Sequence, residues 1–187
     1  AMANGEQGIK ALAVSAAPCG MCRQFLAELN SAETLTIQIS SAEPAPFKNL
    51  LPERFGPDNL NKKQCLFDPP AHQLTLEKET DDQLAKTALN AANASYAPYS
   101  ESPAGVAIQT RNGQVFSGQY MENAAYNPSL LPLQACLSNL NVAGRRFQEI
   151  SDAVLVCKKG PAVDHVRTAR QLFDSVCETP LRVFAAK

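Results

Sequence analysis

Cys19 and Cys22 stand in the run Pro-Cys-Gly-Met-Cys, residues 18–22, at the start of a stretch with helical spacing. A C-x-x-C turn at a helix start brings two sulfurs to one point, where thiolates hold zinc at about 2.3 Å. A helix N-terminus also favours the anionic thiolate. The residues alone leave three readings open: two ordinary thiols, a redox dithiol, or half of a metal site. The redox reading lacks the aromatic residue expected before the first cysteine, since Ala17-Pro18 stands there. Cys65, Cys136, Cys157 and Cys177 sit singly, in settings such as "DAVLVCKKG" where a buried free thiol is usual. The two histidines, His72 in "AHQLT" and His165 in "DHVRT", have no glutamate two residues later. His72 falls in a linker and is read as no ligand. His165 is read as a surface residue at a helix start.

The elements that must position the cysteines follow from periodicity. "KALAVSA", residues 10–16, predicts a buried strand, and Cys19 to Leu29 a helix with Cys22, Phe25, Leu26 and Leu29 on one face. "LTIQIS", residues 35–40, alternates as a second strand, and the prolines beyond it leave room for a turn or two of helix. Residues 65–80 lose periodicity and read as a linker between domains at 1–64 and 81–187. In the second domain a helix runs from Asp81 to Ser95, capped by Asp81 or Thr80. Asn112-Gly113 marks a hairpin. A helix from about Leu130 to Val142, a strand at 152–157, a helix from Asp164 to Val176 and the strand "LRVFAA" complete it. Strand–helix–strand thus occurs twice, and Arg23-Gln24-Phe25-Leu26 has a counterpart in Arg170-Gln171-Leu172-Phe173, which points to an internal duplication. On that reading the first copy lacks its opening helix, hairpin and second helix, and the chain reads as truncated at its front.

Bulk properties exclude several classes. The chain has 187 residues, 45% hydrophobic and 19% charged, an ordinary globular composition. Seventeen basic against eighteen acidic residues, scattered, make no basic stripe for a nucleic-acid polymer. No apolar run approaches the ~20 residues that span a bilayer, and no export signal is evident at the start. Six cysteines so spaced do not make a disulfide framework, so the expectation is a cytoplasmic protein.

The blocks "PCGMCRQFLAELN", "LLPERFGP", "YAPYSESPAGVAI" and "GQVFSGQYMENAAYNPSLLPLQACL" together resemble the long, two-domain homodimeric branch of the cytidine deaminases, over essentially the whole chain. The resemblance implies an α/β fold of two deaminase-like α-β-α units, the first incomplete and the second non-catalytic. It implies zinc-dependent hydrolytic deamination of cytidine or deoxycytidine, with one His and two Cys on the metal and a glutamate proton shuttle in the pattern H-x-E…P-C-x-x-C. Cys19 and Cys22 match the thiolate ligands. The H-x-E element matches nothing here and is expected upstream of residue 1, so no catalytic acid/base is assigned and the chain alone is expected to be inactive.

In the second copy Pro132 and Gln134 stand where the first would carry His and Glu, and "KKGPAVDHV" replaces the cysteine turn. Neither proline nor that turn binds zinc. The resemblance further implies that Ala124, Ala125 and Tyr126 reach across a homodimer to close the partner's pyrimidine-nucleoside pocket. Tyr126 then covers the base or ribose, or is merely a core or interface residue. Ala17 corresponds to a backbone carbonyl that accepts from the base amino group. Glu122 and Asn123 match a ribose-contacting pair and are read as structural here, while Arg23 either neutralises the thiolates or holds the helix end. The reading from another class is a non-catalytic dimerising scaffold with a free or redox thiol pair.

Overall fold

The computed structural model describes residues 1–2, 5–69 and 72–187. They form two units: residues 1–69 with 122–129, and residues 70–121 with 130–187. In the first, β1 (Ala11–Val14) runs parallel to β2 (Thr36–Ile39), joined through α1 (Gly20–Leu26). The two-residue β3 (Ala45–Pro46) adds antiparallel to β2. Ala27, Leu29, Ala32, Leu35, Ile37, Phe47 and Leu66 are among its buried apolar residues. β1 differs from expectation: it is an edge strand whose residues alternate exposed and half-buried. The predicted helix also ends early. Leu26 is its last residue, and Leu29 instead bridges to Leu66. The proline-rich stretch holds two short 3-10 turns, Phe47–Asn49 and Pro57–Leu60.

The second unit is a four-stranded sheet between helices. β4 (Ala104–Thr110) and β5 (Val115–Gln119) form the hairpin, β6 (Ile150–Lys158) pairs antiparallel with β4, and β7 (Leu181–Ala186) runs parallel to β6. The strand order is β5-β4-β6-β7. Thr110 and Gln114 close the turn, with Gly113 at φ +85°, a conformation glycine adopts without steric cost. Strand alternation assigns the two faces. Ala107, Val154 and Val156 meet α2 (Gln83–Asn93), whereas Val106, Ile108, Ala153 and Leu155 meet α3 (Pro132–Val142) and α4 (His165–Val176). Gly105 and Gly118 set how closely these layers approach. A Cβ on Gly105 would stand 2.3 Å from the Ala92 amide nitrogen of α2, and one on Gly118 2.2 Å from that of Cys136 in α3. This is the α/β architecture the resemblance implied, and β1-α1-β2 and β6-α4-β7 share one connectivity.

The cap of α2 is Asp82 rather than Asp81 or Thr80; its Oδ1 accepts from the Leu84 and Ala85 amides at 2.9 and 3.0 Å. Arg182 of β7 holds it in place, donating to both Asp82 and Asp152. The described residues of the expected linker form isolated bridges but no helix or strand. Cys65 and Leu66 belong to the first unit, where the Leu66 amide donates to the Glu28 carbonyl at 2.7 Å. Thr75 and Lys187 exchange two hydrogen bonds and Glu77 donates to Ala185, so residues 75–77 line the edge of β7 and satisfy its backbone groups. Pro70 and Ala71 of that linker, and Ala3 and Asn4 near the start, lie outside the described residues.

Candidate functional site

Pro18 is buried in the irregular segment after β1; Cys19 follows as the N-cap of α1, with φ −68° and ψ 173°. Its Sγ accepts the Cys22 amide at 3.5 Å and lies 3.2 Å from the Cys22 Sγ. Those two contacts, amide first and thiol second, draw the Cys19 thiol below its ordinary pKa. Both thiols are exposed. Arg23 performs the second of its two expected roles: Nε donates to the Pro18 carbonyl at 2.8 Å and Nη1 to that of Leu50 at 3.0 Å, pinning the turn. Ala17 is exposed just before it.

Two sulfurs this close can both lie about 2.3 Å from one zinc ion, so the pair fits as zinc ligands. A catalytic zinc takes three protein ligands and keeps an open position. Among the described residues no group of three His, Cys, Asp or Glu side chains converges to complete the set. His72 is half-buried, with Nε2 unpartnered and its pKa lowered by desolvation, and joins no such group. His165 is not a surface residue. It is buried at the start of α4, its Nε2 2.9 Å from the Ser102 carbonyl and its ring 4.6 Å from that of Tyr120, edge to face. In the second unit the residues that the resemblance aligns with the zinc site serve helix ends. Pro132 opens α3, Gln134 Oε1 accepts the Leu131 amide at 3.2 Å, and Asp164 caps α4. Cys136 and Cys157 are buried as expected, whereas Cys65 and Cys177 are only partly so.

The segment carrying Ala124, Ala125 and Tyr126 belongs to the first unit, where it is hydrogen-bonded to the cysteine helix and the residues just after it. Gln24 and Asn123 bond reciprocally: Asn123 Nδ2 donates to the Gln24 carbonyl at 3.0 Å, and Gln24 Nε2 to Asn123 Oδ1 at 3.3 Å. The Ala124 amide donates to Glu28 Oε1 at 2.5 Å. Tyr126, at φ +64°, is 66% exposed, not a core residue, while Glu122 and Asn123 are buried. Gln24 and Glu28 were missed in the sequence. Their signal was a pair of polar side chains four apart in an otherwise apolar segment.

Comparison with known proteins bears on this arrangement. The family described as "Cytidine and deoxycytidylate deaminase zinc-binding region" matches residues 47–170, a span that begins after both cysteines. A cytidine deaminase of Photobacterium profundum is 42% identical over 183 residues, covering 97% of this chain and 61% of that protein. One of Yersinia pestis (strain Pestoides F) is 47% identical over 152 residues, covering 81% and 51%. The chain thus spans between half and two thirds of the length of these curated relatives. The crystal structure of cytidine deaminase from Burkholderia pseudomallei superposes with a TM-score of 0.50 at 26% identity, over 58% of this chain and 91% of that one.

Proposed function

The chain belongs to the cytidine and deoxycytidylate deaminase family, and from that premise we propose that it is part of a zinc-dependent enzyme converting cytidine or deoxycytidine to the uridine product by hydrolysis. The observation that carries this reading is the Cys19–Cys22 pair, two thiols 3.2 Å apart on a turn pinned by Arg23. Zinc is the family's cofactor; when bound it lowers the pKa of a water molecule and so supplies a nucleophile near neutral pH. Cys19 and Cys22 would hold it. The Ala17 carbonyl would orient the base amino group, and Ala124, Ala125 and Tyr126 would border the nucleoside. The third ligand and the proton shuttle match no residue of this sequence, so the chain by itself turns over nothing. In this reading the whole protein is a homodimer of pyrimidine salvage in the cytoplasm. No helix of the described residues is long and apolar enough to cross a membrane.

The test is native mass spectrometry of the chain and of its Cys19→Ser/Cys22→Ser variant, before and after adding zinc, with cytidine turnover followed on the same samples. Expected are zinc retained by the parent and lost from the variant, no turnover by the chain alone, and two chains per particle. Zinc binding that survives both substitutions would overturn the ligand assignment, and turnover by the chain alone would overturn the predicted inactivity. A second reading, a non-catalytic scaffold with a redox dithiol, draws support from the same 3.2 Å sulfur separation without a third donor among the described residues. It predicts no zinc and a loss of two hydrogens on mild oxidation.

A further inference from the structure

Glu28 lies two residues beyond α1, completely buried. Glutamate is almost never fully buried without a partner that repays its desolvation. Here one carboxyl oxygen accepts the amide of Ala124, a residue 96 positions away in sequence. One turn back along the same segment, Gln24 exchanges two hydrogen bonds with Asn123 and also donates to the Phe55 carbonyl at 2.5 Å. Asn123 then organises the loop: its Oδ1 accepts the Ala125 amide at 2.9 Å and its carbonyl the Tyr126 amide at 2.8 Å. Ser129 returns the chain, with Oγ accepting the Asn123 amide at 3.0 Å. The product of these bonds is an exposed tyrosine held at positive φ, a conformation that persists in a residue with a Cβ only where its surroundings impose it.

We infer that Glu28 is a positioning residue of the nucleoside site. By holding the Ala124 amide it fixes loop 122–129 on the helix that carries Cys19 and Cys22, and so sets where Ala124, Ala125 and Tyr126 present themselves. The inference rests on the deaminase reading. It separates two functions on one segment: α1 bears the metal-binding thiols at its start, and the residues beyond its first turn anchor the loop that borders the substrate. A residue that merely filled core volume would be replaceable by leucine. One that acts as an acceptor is replaceable by glutamine, which keeps an oxygen at that place.

The experiment compares the parent chain with Glu28→Gln and Glu28→Leu by amide hydrogen exchange and by limited chymotrypsin digestion at Tyr126. In Glu28→Leu the Ala124 amide should exchange about tenfold faster or more, as expected when a buried hydrogen bond is lost. Cleavage after Tyr126 should quicken as well, while amides of β4 and β6 keep their protection. Glu28→Gln should stay close to the parent on both measures. Equal loop exchange in all three proteins, or loss in Glu28→Gln as large as in Glu28→Leu, would overturn the acceptor role. Cytidine titrated into the same samples and followed by amide NMR separates the two ideas. Shifts at 124–126 in the parent and Glu28→Gln but not in Glu28→Leu support the positioning role. Absence of any shift in the parent counts against the loop as a nucleoside site, whatever the exchange contrast shows.

Discussion

Cys19 and Cys136 show how place rather than residue type decides thiol chemistry. At the N-cap of α1, Cys19 receives the amide and thiol of Cys22, which stabilise its thiolate. Cys136 is buried in α3 and its thiol is pushed above the ordinary range by desolvation; partial burial raises Cys65 in the same direction. At about pH 7.5, below the usual thiol pKa, iodoacetamide should therefore modify Cys19 well before Cys65, and reach Cys136 only on unfolding. As pH rises through the thiol range the advantage of Cys19 over Cys65 should shrink, because the lowered group is already ionised. Peptide mapping by mass spectrometry reads this directly, and equal initial rates at Cys19 and Cys65 would refute it. The cysteine pair was legible because both members lie within one turn of sequence. The roles of Glu28 and Asn123 were not, because the loop they organise meets the segment after α1 only in the folded chain.

At the scale of elements, periodicity and turn chemistry located every long helix and strand of the second unit. Asn112-Gly113 placed the hairpin, and alternation along β4 and β6 accounts for which residues meet α2 and which meet α3 and α4. The errors fell at ends and edges. Leu29 continued the helical spacing of α1 yet pairs with Leu66, and the apolar run of β1 suggested a buried strand where the sheet has an edge. Gly105 and Gly118 look like ordinary strand glycines until α2 and α3 are in place. Since a Cβ at either would meet helix backbone rather than a movable side chain, Gly105→Ala and Gly118→Ala should each destabilise by ~1–3 kcal/mol or more, the usual range for overpacking. Gly113→Ala, in open space but at positive φ, should cost about 1 kcal/mol. Urea unfolding of the three variants checks the order, and a Gly118→Ala protein as stable as the parent would argue against so close an approach.

For the whole molecule, near balance between 17 basic and 18 acidic residues predicts that cytosine-containing single-stranded oligonucleotides do not bind at about 0.15 M salt. A mobility-shift or anisotropy titration tests it, and micromolar binding would point to a polynucleotide rather than a nucleoside partner. By itself the sequence determined what depends on near neighbours: the C-x-x-C turn, the hairpin, and the order of strands and helices. The tertiary structure decided what depends on distant groups meeting. Residues 122–129 follow β5 in sequence but belong to the unit built from residues 1–69, because Gln24 and Glu28 offer the hydrogen-bond partners that their buried polar groups require. His165 turned inward for the same reason, toward Ser102 and Tyr120. Local periodicity records which face of an element is apolar; it does not record which buried polar group will find which partner once the chain has closed.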